Sequence, residues 1–145
     1  MTSIEDKTHF SSEGVQFEFY TENHFVISIN VDSSYVERWI LSLLSLSESL
    51  IKSISVVNTT AKNNLKITKT PERNLSKHKN CKSNQNIEKS ILSQENKRLI
   101  LQLTYNDIEC IIKWYLNCWA NTYGYESMIL DIECQDRSVI MFSTR

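Results

Sequence analysis

Apolar and polar residues alternate from Val15: Val15, Phe17 and Phe19 are separated by Gln16 and Glu18. A period of two is that of a half-buried strand. After a short connection at 21–24 the alternation returns, with Phe25, Ile27, Ile29 and Val31 on one face and Ser28, Asn30 and Asp32 on the other. The two runs predict a hairpin. The period then changes. Ser34 stands three residues before Glu37, the spacing of a capping box. Val36, Trp39, Ile40, Leu43, Leu44 and Leu50 follow at helical spacing, which predicts a helix over about 35–50. Ile54, Val56 and Val57 form a short strand.

The pattern repeats further along. Leu99, Leu101, Leu103 and Tyr105 alternate with Gln102 and Thr104. Asn106, three before Glu109, offers a weaker cap. Ile108, Ile111, Ile112, Tyr115, Leu116 and Trp119 then recur as one stripe of a helix over about 107–123, with Gly124 to end it. Met128, Leu130 and Ile132 predict a strand, 135–138 a turn, and Val139 to Phe142 a last strand that closes a hairpin. Residues 1–13 are polar and predict no element.

Strand, helix, strand occurs twice, with one extra strand at each end. The inner six elements are those of a ferredoxin-like, split βαβ domain. Right-handed crossovers would then lay both helices on one face of a single antiparallel sheet. The expected class is therefore α+β, in one domain of ordinary size. With 2 Gly and 1 Pro in 145 residues, a sandwich of many tight turns is disfavoured.

Residues 61–98 break the pattern. They are rich in Lys, Asn and Ser and contain Pro71. Ten basic residues (Lys62, Lys66, Lys69, Arg73, Lys77, Lys79, Lys82, Lys89, Lys97 and Arg98) face three acids, Glu72, Glu88 and Glu95, a formal charge of +7. The segment is expected as a basic insertion between two core strands, functional or flexible, with a weak helix near 87–94. Since the whole chain carries −1, the remainder carries −8.

Candidate chemistry narrows the functions. Cys81, Cys110, Cys118 and Cys134 form no CxxC pair. Cys110 and Cys118 would lie about 12 Å apart along one helix, too far for a disulfide within it. Packed thiols, no signal peptide at the N-terminus and no apolar run of about 18 residues predict a soluble cytoplasmic protein. His9, His24 and His78 have no ligand-spaced partners, and GxSxG, Walker and HExxH motifs are absent. No cofactor or metal is implied, and an enzyme would need a site assembled from scattered residues. An RNA-binding sheet of the RRM kind requires aromatics on its open face. The outward positions here are Ser28, Asn30, Gln102, Thr104, Asp131 and Glu133, which cannot stack bases.

On the second helix, Tyr115, Trp119 and Tyr123 share a stripe that predicts core, while Trp114 lies off it as a partly exposed anchor of the kind interfaces favour. The charge map then points to a binding protein, an inhibitor or immunity protein neutralising a basic partner such as a nuclease toxin. Its expected contacts are Glu126, Asp131, Glu133 and Asp136, with Trp114 as anchor. The alternatives are a nucleic-acid-associated protein using the basic segment and an enzyme with a non-local site.

Overall fold

A computed structural model of the chain describes residues 7–11, 13–20, 26–58, 63–70, 89–95, 98–120, 129–135 and 138–144. In chain order these form β1 (Lys7–Ser11), β2 (Val15–Tyr20), β3 (Val26–Val31), α1 (Val36–Ser47), β4 (Ser53–Asn58) and β5 (Asn63–Lys69). They continue with β6 (Ile91–Glu95), β7 (Arg98–Leu103), α2 (Tyr105–Ala120), β8 (Leu130–Glu133) and β9 (Val139–Thr144). The α+β class holds. The single ferredoxin-like sheet does not: the strands divide into sheet A, ordered β1-β4-β5-β7-β6, and sheet B, ordered β2-β3-β9-β8. Each strand–helix–strand repeat is split, with β3 and β8 in sheet B and β4 and β7 in sheet A.

Both sheets are mixed. The β2–β3 and β8–β9 hairpins are antiparallel as the pattern predicts, but β3 runs parallel to β9, β1 to β4, and β5 to β7. The parallel pairs join segments far apart in the chain, so no local pattern announces them. The supposed insertion contributes two strands. Leu65 and Ile67 of β5 are fully buried, and β6 buries Leu92. A strand therefore stands where a helix near 87–94 was expected; residues 71–88 lie outside the described ones. The N-terminal segment also enters sheet A, with Phe10 buried opposite Val56.

The inward faces of the two sheets and the inward stripes of both helices make one buried cluster. Phe10 of β1 meets Trp39 of α1 edge-on at 5.5 Å, Trp39 meets Tyr115 of α2 at 6.1 Å, and Tyr115 meets Phe142 of β9 at 6.4 Å. T-shaped contacts align a positive ring edge with a negative face, so this file of rings runs from sheet A through both helices to sheet B. The Tyr115 hydroxyl donates to the Ser143 carbonyl at 3.0 Å. Tyr105 lies beside Ser47 and Glu48 while Tyr115 lies beside Trp39, so the helices are antiparallel. The sheets also meet at a margin: the Gln135 N–H, after β8, donates to the Ser90 carbonyl, just before β6, at 2.8 Å.

The helix starts differ from those expected. Asp32 Oδ1 accepts from the backbone N–H and the hydroxyl of Ser34, at 3.0 and 2.8 Å, capping a 3-10 turn over Ser33–Tyr35 that leads into α1. At α2, Thr104 Oγ1 accepts from the Asp107 N–H at 3.1 Å, so Thr104 and Asp107 occupy the positions assigned to Asn106 and Glu109. Thr104 is accordingly buried instead of facing outward. Buried Ser90 ties the cap down, donating to Asp107 and accepting from the Thr104 N–H at 3.1 Å. The α1 C-terminus is met by Lys69, whose ammonium donates to the Ser47 carbonyl at 2.9 Å, a cation where the helix dipole is negative.

Candidate partner-binding surface

A strand's side chains alternate between faces, so burying one face of sheet B turns a defined set outward. Across the sheet, Asp131 pairs with Met141, Met141 with Ser28, and Ser28 with Glu18. The neighbouring row runs Glu133, Val139, Val26, and a third joins Ser143, Asn30 and Gln16. Val26, Ser28, Val139 and Met141 are half-buried, whereas Glu18, Asp131 and Glu133 are exposed. The face is thus a mildly apolar centre with carboxylates on both edge strands. The four strands of sheet B contain Glu18, Asp131 and Glu133 and no Lys or Arg.

Asp131 and Glu133 project from edge strand β8 on either side of buried Ile132. Like charges two residues apart repel one another, so the pair adds nothing to folding. Glu133 has a cation at reach, with Lys89 Nζ 3.7 Å away, but both side chains are about half exposed or more, at 63% and 48%. An ion pair so placed is worth roughly 0–1 kcal/mol and weakens with salt. Glu126 and Asp136 lie outside the described residues.

Trp114, off the buried stripe, is partly exposed as its position predicts. It is half-buried, packed on the core, its ring edge-on to Tyr115 at 4.8 Å. Trp119, assigned to the buried stripe, is instead 56% exposed. Its helical angle is that of Ile108, Ile112 and Tyr115, but it sits in the last turn of α2, past the end of the core. Trp39, on the apolar stripe of α1, is fully buried.

Sheet A presents the opposite sign. Its outward rows carry Lys66 and Arg98 against Glu95, while Lys69, of the opposite parity on β5, is turned to the end of α1. One outward row runs His9, Ser55, Lys66, Ile100, Ser93, and the next Ser11, Val57, Asn64, Arg98, Glu95. His9, expected in a loose tail, is therefore an exposed residue of β1. The outward face of Lys66 and Arg98 is hidden in the sequence because it depends on β5 lying beside β7.

Buried titratable groups are few. Desolvation pushes the Tyr115 hydroxyl well above its ordinary value, and burial also raises the Cys118 thiol. Cys118 and Cys134 are buried cysteines and Cys110 is an exposed one. Among the described residues no three His, Cys, Asp or Glu side chains gather as a metal site, and no helix is long and apolar enough to cross a membrane.

No family model matches the sequence, and no curated protein matches it. Among solved structures, a crystal structure of Drosophila Suppressor of Fused is similar over 87% of this chain and 26% of that one, at 5% identity and a TM-score of 0.45. The chain thus spans about a quarter of that protein's length, and so slight a likeness supports no conclusion about fold or activity.

Proposed function

We propose that the chain is a non-enzymatic binding protein, an inhibitor of the immunity-protein kind, which neutralises a basic protein such as a nuclease toxin by docking it on the outward face of sheet B. The observation that carries this is the sign of that face: three carboxylates and no cation on four strands. A surface of one sign accelerates encounter with a partner of the other and fixes its orientation. It also occupies the Lys and Arg side chains with which a nuclease holds phosphate. The half-buried Val26, Val139 and Met141 supply the apolar centre that an interface core needs, inside a polar rim. Glu126 and Asp136 extend the acidic set in the sequence around β8. Trp114, wedged on Tyr115, serves as a buttress of α2 rather than as a free anchor. A cytoplasmic setting suits the thiols of Cys110 and Cys118.

The test is capture from the native host on the immobilised chain, identification of what is held, and titration of the purified partner against the parent and the Asp131→Lys, Glu133→Lys double variant. The expected partner is basic, and the double variant binds it at least tenfold more weakly while melting within about 2 °C of the parent. A partner that binds both forms alike, or one that is acidic, refutes the reading.

A further inference from the structure

The two outward sheet faces are complementary to each other. Sheet B offers Asp131 and Glu133 on β8 and Glu18 on β2, around Val26, Val139 and Met141. Sheet A offers Lys66 and Arg98 on adjacent inner strands, around Val57 and Ile100, with Glu95 of edge strand β6 opposite Arg98 as the one acid of its described outward rows. Both faces are pleated and untouched by either helix's buried stripe, which faces inward in each case. Within one molecule they cannot meet, because the core lies between them. The geometry points to a second copy of this chain as the occupant of the sheet A face: sheet B of one copy lies on sheet A of the next, in the absence of the basic partner.

Three physical arguments favour a second copy. Opposite charges in the two faces attract, whereas the total of −1 leaves almost no net repulsion to keep copies apart. Packed sheets approach to about 10 Å, which brings the half-buried valines, Ile100 and Met141 into a shared apolar layer. Among the described residues the outward face of sheet A carries no Phe, Tyr or Trp and a single imidazole, His9 on edge strand β1, so it lacks the succession of rings on which a single strand stacks. The contact joins different faces of the two copies, so it is heterologous and does not close by two-fold symmetry. Each copy keeps one face free, and mass grows with concentration instead of stopping at a dimer.

The inference shares the acidic face with the proposed function and gives it regulation: self-association shields that face until a basic protein competes for it. The experiment is sedimentation velocity on the full chain across a concentration series, at ionic strengths of about 0.01 M and about 1 M, where charges are screened over roughly 30 and 3 Å. The parent is expected to exceed its monomer mass of 16.9 kDa at low salt and return to it at high salt. Asp131→Lys with Glu133→Lys, and separately Lys66→Glu with Arg98→Glu, are expected to remain monomeric at both. Mixing the two double variants restores association, because each then offers the face the other lacks. Glu37→Lys with Glu48→Lys changes the net charge by the same amount on exposed positions around α1, and is expected to associate like the parent.

A parent that is monomeric at low salt overturns the inference, as does association that survives either face's reversal or a mixture that stays monomeric. A monomeric parent that instead binds duplex DNA, with binding lost in Lys66→Glu with Arg98→Glu, assigns the basic face to nucleic acid and also overturns it. None of these results removes the basic partner, which is read independently: Lys66→Glu with Arg98→Glu should bind the captured partner at least as well as the parent does.

Discussion

Replacing Tyr115 with Phe keeps the ring and removes one oxygen. The ring stands at the crossing of the file that joins both sheets, edge-on to Trp39, Trp114 and Phe142. Its hydroxyl donates to the Ser143 carbonyl at 3.0 Å, and the side chain is fully buried. Removing the donor forfeits a net hydrogen bond of about 1 kcal/mol and leaves the carbonyl short of a partner, so the expected loss is about 1–2 kcal/mol. For a chain of this size that lowers Tm by roughly 3–8 °C. A second readout isolates the hydroxyl. Burial raises its folded pKa above the ordinary tyrosine value, so the native state holds this proton where the unfolded state has lost it. Stability from this source is complete below the unfolded pKa of about 10 and declines as pH rises above it, by up to about 1.4 kcal/mol per pH unit. Urea melts of parent and variant between pH 8 and 11 measure both effects. The parent should lose stability more steeply than the variant above pH 10. Equal stabilities within about 0.3 kcal/mol, with parallel alkaline limbs, would show that the hydroxyl is neither bonded nor buried as described.

Other perturbations probe separate elements. Leu43 is fully buried on the inward stripe of α1, and Leu43→Ala should cost about 2–5 kcal/mol in urea melts; a change under about 0.5 kcal/mol would mean that the stripe is misplaced. Gly14 turns the chain between β1 and β2, and a Cβ there would run into the Tyr35 ring. Gly14→Ala should therefore destabilise by about 1–3 kcal/mol, and a neutral result in thermal melts would contradict that close approach. Asp32→Ala removes the acceptor of Ser34 and should cost about 0.5–2 kcal/mol, whereas Glu37→Ala should change stability by less than about 0.5 kcal/mol. The reverse order would restore Glu37 to the capping role its spacing suggests.

What the sequence could convey depended on how local each cause was. The hairpin of β2 and β3, both helices and the strands β4, β7, β8 and β9 rest on runs of several apolar residues at one period. β1, β5 and β6 bury one or two large side chains each, Phe10, Leu65 with Ile67, and Leu92, among polar neighbours. Such runs acquire strand character only from the partners flanking them, and tertiary context settles them. Sheet membership was hidden for a related reason. Two strand–helix–strand repeats suggest pairing within one sheet, but β3 pairs with β9, at the other end of the chain. The caps misled because Ser34–Glu37 and Asn106–Glu109 have the right spacing, while Asp32 and Thr104 stand where the backbone turns. Trp119 obeys its helical angle and yet is exposed, since angle alone does not tell where the core ends.

The site was legible in part. Asp131 and Glu133 could be assigned to one outward face from their spacing alone. Glu18 joined them only once β2 and β8 proved to be opposite edges of one sheet. The basic face opposite required β5 and β7 to be neighbours, a pairing across the Lys- and Asn-rich segment that periodicity does not reveal.

If the acidic face of sheet B receives a cationic partner, the rate of association must fall with ionic strength, and the slope of that fall reads the face itself. Stopped-flow mixing of the captured basic partner with the parent should give a rate that falls by about tenfold or more between roughly 0.02 and 0.5 M salt. With Asp131→Lys and Glu133→Lys the rate should start lower and its dependence on salt should flatten, while Lys66→Glu with Arg98→Glu, whose acidic face stays free at low salt, should keep a slope at least as steep as the parent's. Identical slopes for the parent and the Asp131, Glu133 variant would contradict the claim, whatever the affinity.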